Sequence, residues 1–159
     1  MAIERARDHL ALFGLEERVR EFDVSSATVE LAAQALGVAP ALIAKTLSFV
    51  TPDGPILVVA AGDARVGNAL FRERFGCKAR LIPADQVEGL VGHAVGGVCP
   101  FGVEPGVRVF LDESLRRFEV VYPACGSASS CARLTLAELE RASGAEGWVR
   151  VTTWPEGNV

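Results

Sequence analysis

The sequence predicts a mixed α/β fold, a partly closed mixed β-barrel surrounded by helices. Three observations lead there. Predicted strands outnumber what simple βαβ alternation would give, and several are joined as hairpins. Amphipathic helices with clear start and stop residues lie between them. The run Ile56 to Ala61 is apolar throughout, as a strand buried on both faces should be.

The elements follow in order. Ile3, Ala6, Leu10 and Phe13 recur at helical spacing, and Gly14 stops that helix. Arg18 to Phe22 reads as a short strand. Thr28 caps a helix ending at Leu36, and Pro40 opens a single turn to Ile43. Ala44 to Thr51 and Ile56 to Ala61 form a hairpin through Pro52-Asp53-Gly54-Pro55. A third helix lies within Asp63 to Phe75, followed by a short strand Ala79 to Ile82. Pro83-Ala84-Asp85 opens a fourth helix reaching Leu90. Gly92 to Gly106 is a structured loop, and Val107 to Leu111 a strand. Asp112 caps one turn through Leu115. Phe118 to Tyr122 and Cys131 to Leu134 are strands flanking a small-residue loop. Thr135 and Glu138 form a capping box on the helix Leu136 to Ala142. Trp148 to Thr152 is the last strand, and the tail beyond it is expected to fray.

The chain has 159 residues, 50% hydrophobic and 23% charged, which suits one domain spanning 1–159. No stretch approaches the roughly 18 apolar residues of a membrane span. The N-terminus has no apolar signal-peptide core, so the expected location is cytoplasmic. A net charge of −4 argues against a nucleic-acid binder relying on a broadly basic surface. Local contact with an RNA end stays open, and Arg65, Arg72, Arg74, Lys78 and Arg80 give one segment a positive bias. The spacing of His93, Cys99, Cys125 and Cys131 matches no usual zinc pattern, so neither metal nor cofactor is expected.

Lysine is scarce: Lys45 and Lys78 are the only two. Strand alternation puts Lys45 on one face with Leu47 and Phe49, where a cation is costly unless paired. The competing reading is a side chain that snorkels to solvent. The segment Gly96-Gly97-Val98-Cys99-Pro100-Phe101-Gly102 could present N–H donors to a developing oxyanion, or be only a tight connection. Cys99 could act as a nucleophile with His93 as its base, although no third, orienting residue is evident. Tyr122-Pro123-Ala124-Cys125-Gly126 offers small residues for close approach of a substrate, or a plain β-turn.

Ala44 to Phe49, Gly96 to Gly102, Asp112-Glu113-Ser114-Leu115 and Tyr122 to Gly126, in this order, resemble the YbaK family. These are aminoacyl-tRNA deacylases related to the editing domain of bacterial prolyl-tRNA synthetases. The resemblance covers roughly Glu21 to Leu139. It implies a free-standing trans-editing hydrolase that cleaves the ester at the 3′ end of a mischarged tRNA, of the Cys-tRNA(Pro) type or with another small amino acid. It implies Lys45 and Gly97 as catalytic residues. Thr46, Val98, Cys99, Pro100, Phe101, Gly102, Tyr122, Ala124, Cys125 and Gly126 become substrate-binding residues. It implies aminoacyl-tRNA as the partner, with a synthetase as a second candidate, and leaves the oligomeric state open. Lys45 would be a cationic anchor or transition-state stabiliser, with no protein nucleophile. There are two departures: Ala124 stands where cysteine-editing members often carry serine, and an acidic residue is replaced near Cys131. Cysteine, alanine, serine and threonine all stay open as the amino acid removed. The alternative is a module that grips tRNA ends or a synthetase without chemistry.

Overall fold

A computed structural model describes residues 2–155. Of the tail expected to fray beyond Thr152, residues 156–159 lie outside the described residues, whereas Thr153 is held in a short antiparallel ladder opposite Arg65. The helices are α1 (Ala2–Ala11), α2 (Val29–Leu36), α3 (Asn68–Phe75), α4 (Ala84–Val91) and α5 (Leu136–Ser143). The first strands are β1 (Val19–Glu21), β2 (Ile43–Thr51), β3 (Gly54–Ala61), β4 (Arg65–Val66) and β5 (Arg108–Asp112). They are followed by β6 (Val120–Pro123), β7 (Ser130–Ala132), β8 (Leu134–Thr135), β9 (Trp148–Val149) and β10 (Thr152–Thr153). Six strands make one sheet in the order β8-β6-β2-β3-β5-β9, curled into a half-barrel. Its antiparallel pairs are β2–β3 and β6–β8, and its parallel pairs are β2–β6, β3–β5 and β5–β9. The mixed, partly closed barrel wrapped by helices is therefore the fold the sequence predicts.

Strand β3 sits at the centre because nothing in it tolerates water. Leu57, Val59 and Ala61 face a core that includes Ala6 and Leu10 of α1, Val91 of α4 and Leu139 of α5. Ile56 and Val58 face a second core with Phe49, Phe71 and Phe110. There the ring of Phe71 lies 4.7 Å from that of Phe49 and 4.8 Å from that of Phe75. The expected caps form: Thr28 Oγ1 accepts from Leu31 N at 3.1 Å, and Thr135 with Glu138 completes the capping box. No helix among the described residues is long and apolar enough to cross a membrane.

Three expected strands differ, each for a physical reason. Ala79 to Ile82 makes a single bridge, Phe49 to Leu81, because Pro83 follows at once and has no N–H to extend the ladder. Cys131 to Leu134 is divided: β7 pairs with β1 while β8 pairs with β6, and exposed Arg133 marks the change of partner. Trp148 to Thr152 is divided by Asp112. The buried carboxylate accepts from Val151 N at 2.9 Å and from Thr152 Oγ1 at 2.6 Å, leading the chain from β5 to β4. The third helix is also shorter than the Asp63 to Phe75 segment, because Arg65 and Val66 pair with β10.

Truncating Phe71 to alanine removes the ring that joins Phe49 to Phe75. A loss of about 3–5 kcal/mol of stability is expected, read as a lower denaturant midpoint with an unchanged slope.

Candidate functional site

A cavity of about 430 Å³ opens between the start of α2 and β2. One wall is the start of α2, from Ser26 to Val29 with Ala32. Opposite runs β2 from Ile43 to Ser48. The remaining sides come from the 81–87 segment, from Val95, Gly96 and Val98 in the glycine loop, and from Ala124 and Cys131. The lining is mostly aliphatic, and Lys45 is its one charged side chain among the described residues.

Lys45 does not run out to solvent. Its Nζ donates to the carbonyl oxygens of Gly62, at 3.3 Å, and of Ala64. Burial pushes the ammonium pKa below the usual lysine value. The carboxylates of Asp63 and Glu30 resist that fall, and Arg65 adds to it. Carbonyl oxygens at the end of β3 thus supply the partners that a half-buried cation requires. Two other polar groups in the wall are buried: Thr46 Oγ1 has no hydrogen-bond partner, and Ser26 Oγ has none but the Cys131 thiol beside it.

The glycine loop is fastened from two sides. Arg5 of α1 pairs with Glu104 at 3.0 Å, and Gly126 N donates to Gly97 O at 2.9 Å. A Cβ on Gly97 would lie 2.5 Å from Gly126 C and from Ser127 N, so only glycine permits this backbone contact. The Gly97 N–H is itself spent on Ala94 O at 3.0 Å. Of the residues singled out in the sequence, the structure brings Lys45, Thr46, Val98 and Ala124 together on the cavity. Gly97 and Gly126 lie behind it, back to back. Cys99, Pro100, Phe101 and Cys125 are buried in the interior, and Gly102 and Tyr122 are half-buried away from the lining. Ala124, one departure from the family pattern, forms a β-bridge with Cys131, near the other, and both line the cavity. Ser26, Leu81 and Val95 also line the cavity. They carry no motif, and only tertiary folding brings them to β2.

The geometry removes the nucleophilic reading of Cys99. His93 Nε2 lies 3.5 Å from Cys99 Sγ but also 2.7 Å from Phe101 O, so that nitrogen carries a proton for the carbonyl and is no base toward the thiol. Cys99 is fully buried, and burial pushes its thiol up to about 12. Burial raises Cys131 to about 11, a rise the neighbouring Ser26 hydroxyl moderates.

A curled mixed sheet with helices packed around it, and one half-buried ammonium in a mostly aliphatic cavity, mark a mixed α/β domain. The chain belongs to the aminoacyl-tRNA editing domain family, whose model matches residues 23–142 and so spans the cavity. This is the YbaK-like group that the sequence motifs resemble. The uncharacterized protein YwhH of Bacillus subtilis (strain 168) is 46% identical over 152 residues, 95% of this chain and 97% of that protein. Proline–tRNA ligase of Nitratidesulfovibrio vulgaris (strain DP4) is 32% identical over 89 residues. That match covers 55% of this chain but only 16% of the ligase. A solved structure of a proposed trans-editing enzyme for prolyl tRNA synthetase superposes with a TM-score of 0.83 at 31% identity. It covers 92% of this chain and 94% of that one.

Cys99, Cys125 and Cys131 are buried, while Cys77 is half-exposed. In the native protein a thiol reagent is expected to label Cys77 quickly and the other three only after unfolding. Fast modification of a second thiol would contradict this arrangement.

Proposed function

We propose that this protein is a trans-editing hydrolase that removes a small amino acid from the 3′ ester of a mischarged tRNA. The observation that carries this reading is Lys45, the one charged side chain among the described residues of a mostly aliphatic cavity, its ammonium half-buried. At about 430 Å³ that cavity falls within the usual range for small-molecule sites. Its mostly aliphatic lining suits a small side chain. The family and the likeness to a proposed trans-editing enzyme support the substrate class.

The chemistry demands little of the protein. An aminoacyl ester is already activated, so positioning and charge stabilisation suffice for attack by water. Lys45 offers its ammonium to the terminal ribose or phosphate, or to the oxygen on which charge develops. In the glycine loop, Val98 lines the cavity, and its N–H makes no hydrogen bond among the described residues. It replaces Gly97 as the main-chain donor we assign, because the Gly97 N–H is occupied. Gly97 then serves by letting the loop lie against Gly126. The Thr46 hydroxyl, which has no partner, and the Ser26 hydroxyl, which has only the Cys131 thiol, are available to hydrogen-bond the bound aminoacyl group.

Deacylation should be measured on tRNAs carrying cysteine, alanine, serine or threonine. Lys45→Ala is expected to lose about 100-fold or more in kcat/KM, on the scale of losing a preorganised donor to a transition-state charge. Full activity in that variant would remove Lys45 from the mechanism. Binding of charged tRNA without any ester cleavage by the native protein would favour the non-catalytic module.

A further inference from the structure

The oxygens that hold Lys45 belong to one turn, Ala61 to Ala64, and that turn is fixed from outside the cavity. Ala61 N donates to Ser114 Oγ at 3.0 Å. The Asp63 carboxylate accepts a fork from Arg117, Nη1 at 3.0 Å and Nη2 at 2.5 Å. Arg117 Nε donates to Ser114 O at 2.9 Å. Its guanidinium also covers the rings of Phe118, at 4.7 Å, and Trp154, at 5.1 Å. The side chains of Arg117 and Asp63 are 17% and 10% exposed, so water screens the pair weakly. A Cβ on Gly62 would fall 2.0 Å from Pro40 O, so the turn is also pressed against the segment that enters β2.

We infer that Asp63 and Arg117 are positioning residues for Lys45, acting through the turn from Ala61 to Ala64. This rests on the reading of Lys45 as the functional cation. The pair has two effects. The fork fixes the direction of the Gly62 and Ala64 carbonyls, and so the place of the ammonium. Its carboxylate also sets the charge balance there. The charged groups that act on Lys45 are Asp63 in the turn, Glu30 from α2, Arg65 from β4 and Asp112 from the end of β5. Asp63 is the strongest of those favouring the ammonium, and Arg117 partly neutralises it.

The two halves of the pair therefore carry opposite electrostatic signs. Asp63→Asn keeps the shape but removes the carboxylate, so the Lys45 pKa falls further. Arg117→Gln leaves the carboxylate undiluted, so the Lys45 pKa rises, although the turn loosens. Activity that needs the ammonium is lost as pH rises through that pKa. The alkaline limb of the rate profile should then move to lower pH in Asp63→Asn and to higher pH in Arg117→Gln. In both, kcat should fall about 10- to 100-fold, the scale of a displaced catalytic group, with KM little changed.

Because the chain has two lysines, ¹³Cε-lysine NMR follows Lys45 directly, with Lys78→Arg assigning the other signal. Opposite shifts of the Lys45 titration in the two variants support the inference. Unchanged titration, or shifts of the same sign, overturns it. If Arg117→Gln does not fold, the near-isosteric Asp63→Asn decides alone: a downward shift supports the inference and an unmoved titration overturns it. Full activity of Lys45→Ala would refute the functional reading of the lysine, while the NMR titration would still decide whether Asp63 and Arg117 hold it.

Discussion

An ammonium half-removed from water must find oxygen, and the end of β3 supplies it. That need links the parts of the site. Lys45 enters the cavity from β2 because its ladder with β3 places it opposite Ala60, just short of the turn whose carbonyls it reaches. β3 is fixed in turn because its residues face cores on both sides of the sheet. The position of one cation therefore depends on the packing of a strand that is buried from Ile56 to Ala61. The cost of half-burying that cation is offset by main-chain dipoles that folding has already oriented.

Two close backbone approaches shape the cavity around it. Gly62 lets the turn lie against Pro40 and Val29, which brings the start of α2 over the sheet. Gly97 lets the glycine loop lie on Gly126 and Ser127. Each glycine removes a side chain where two main chains must nearly touch, and each contact defines an edge of the cavity without facing it. Motif residues can thus be needed for a site without lining it. Gly97, Gly126 and Cys99 are of this kind, whereas Val98 and Ala124 reach the open space.

The fold was legible because its signals are local. The Pro52–Gly54 turn, the Thr135–Glu138 capping box and the apolar run of β3 each rest on a few adjacent residues. The strands that were misread depend on distant partners, such as the Asp112 carboxylate 39 residues before the Val151 N–H it accepts. The site divides along the same line. Lys45 stood out because lysine is rare in this chain and lies in an apolar strand. Asp63 and Arg117 did not, since 54 residues separate them and either one alone reads as an ordinary surface charge. Cys99 and His93 are neighbours as the sequence suggested. Their roles follow from burial and from the Phe101 carbonyl, and sequence spacing encodes neither.

Under the proposed function, Ala124, one departure from the family pattern, and Cys131, near the other, bear on specificity in one place. They face each other across a β-bridge, and both line the cavity. That end holds a methyl group, a thiol held neutral by burial, and the Ser26 hydroxyl beside that thiol. Such a surface gives no charge for an amino acid's ammonium to pair with. It therefore selects by volume and by what can satisfy one buried hydroxyl. Volume alone separates neighbours that differ by a methylene by only about 1–3 kcal/mol, whereas an unsatisfied buried hydroxyl costs about as much again. Under the proposed function, discrimination among small amino acids then falls chiefly to Ser26 and Thr46. On the same reading Lys45 would act on the ester end, which every charged tRNA shares.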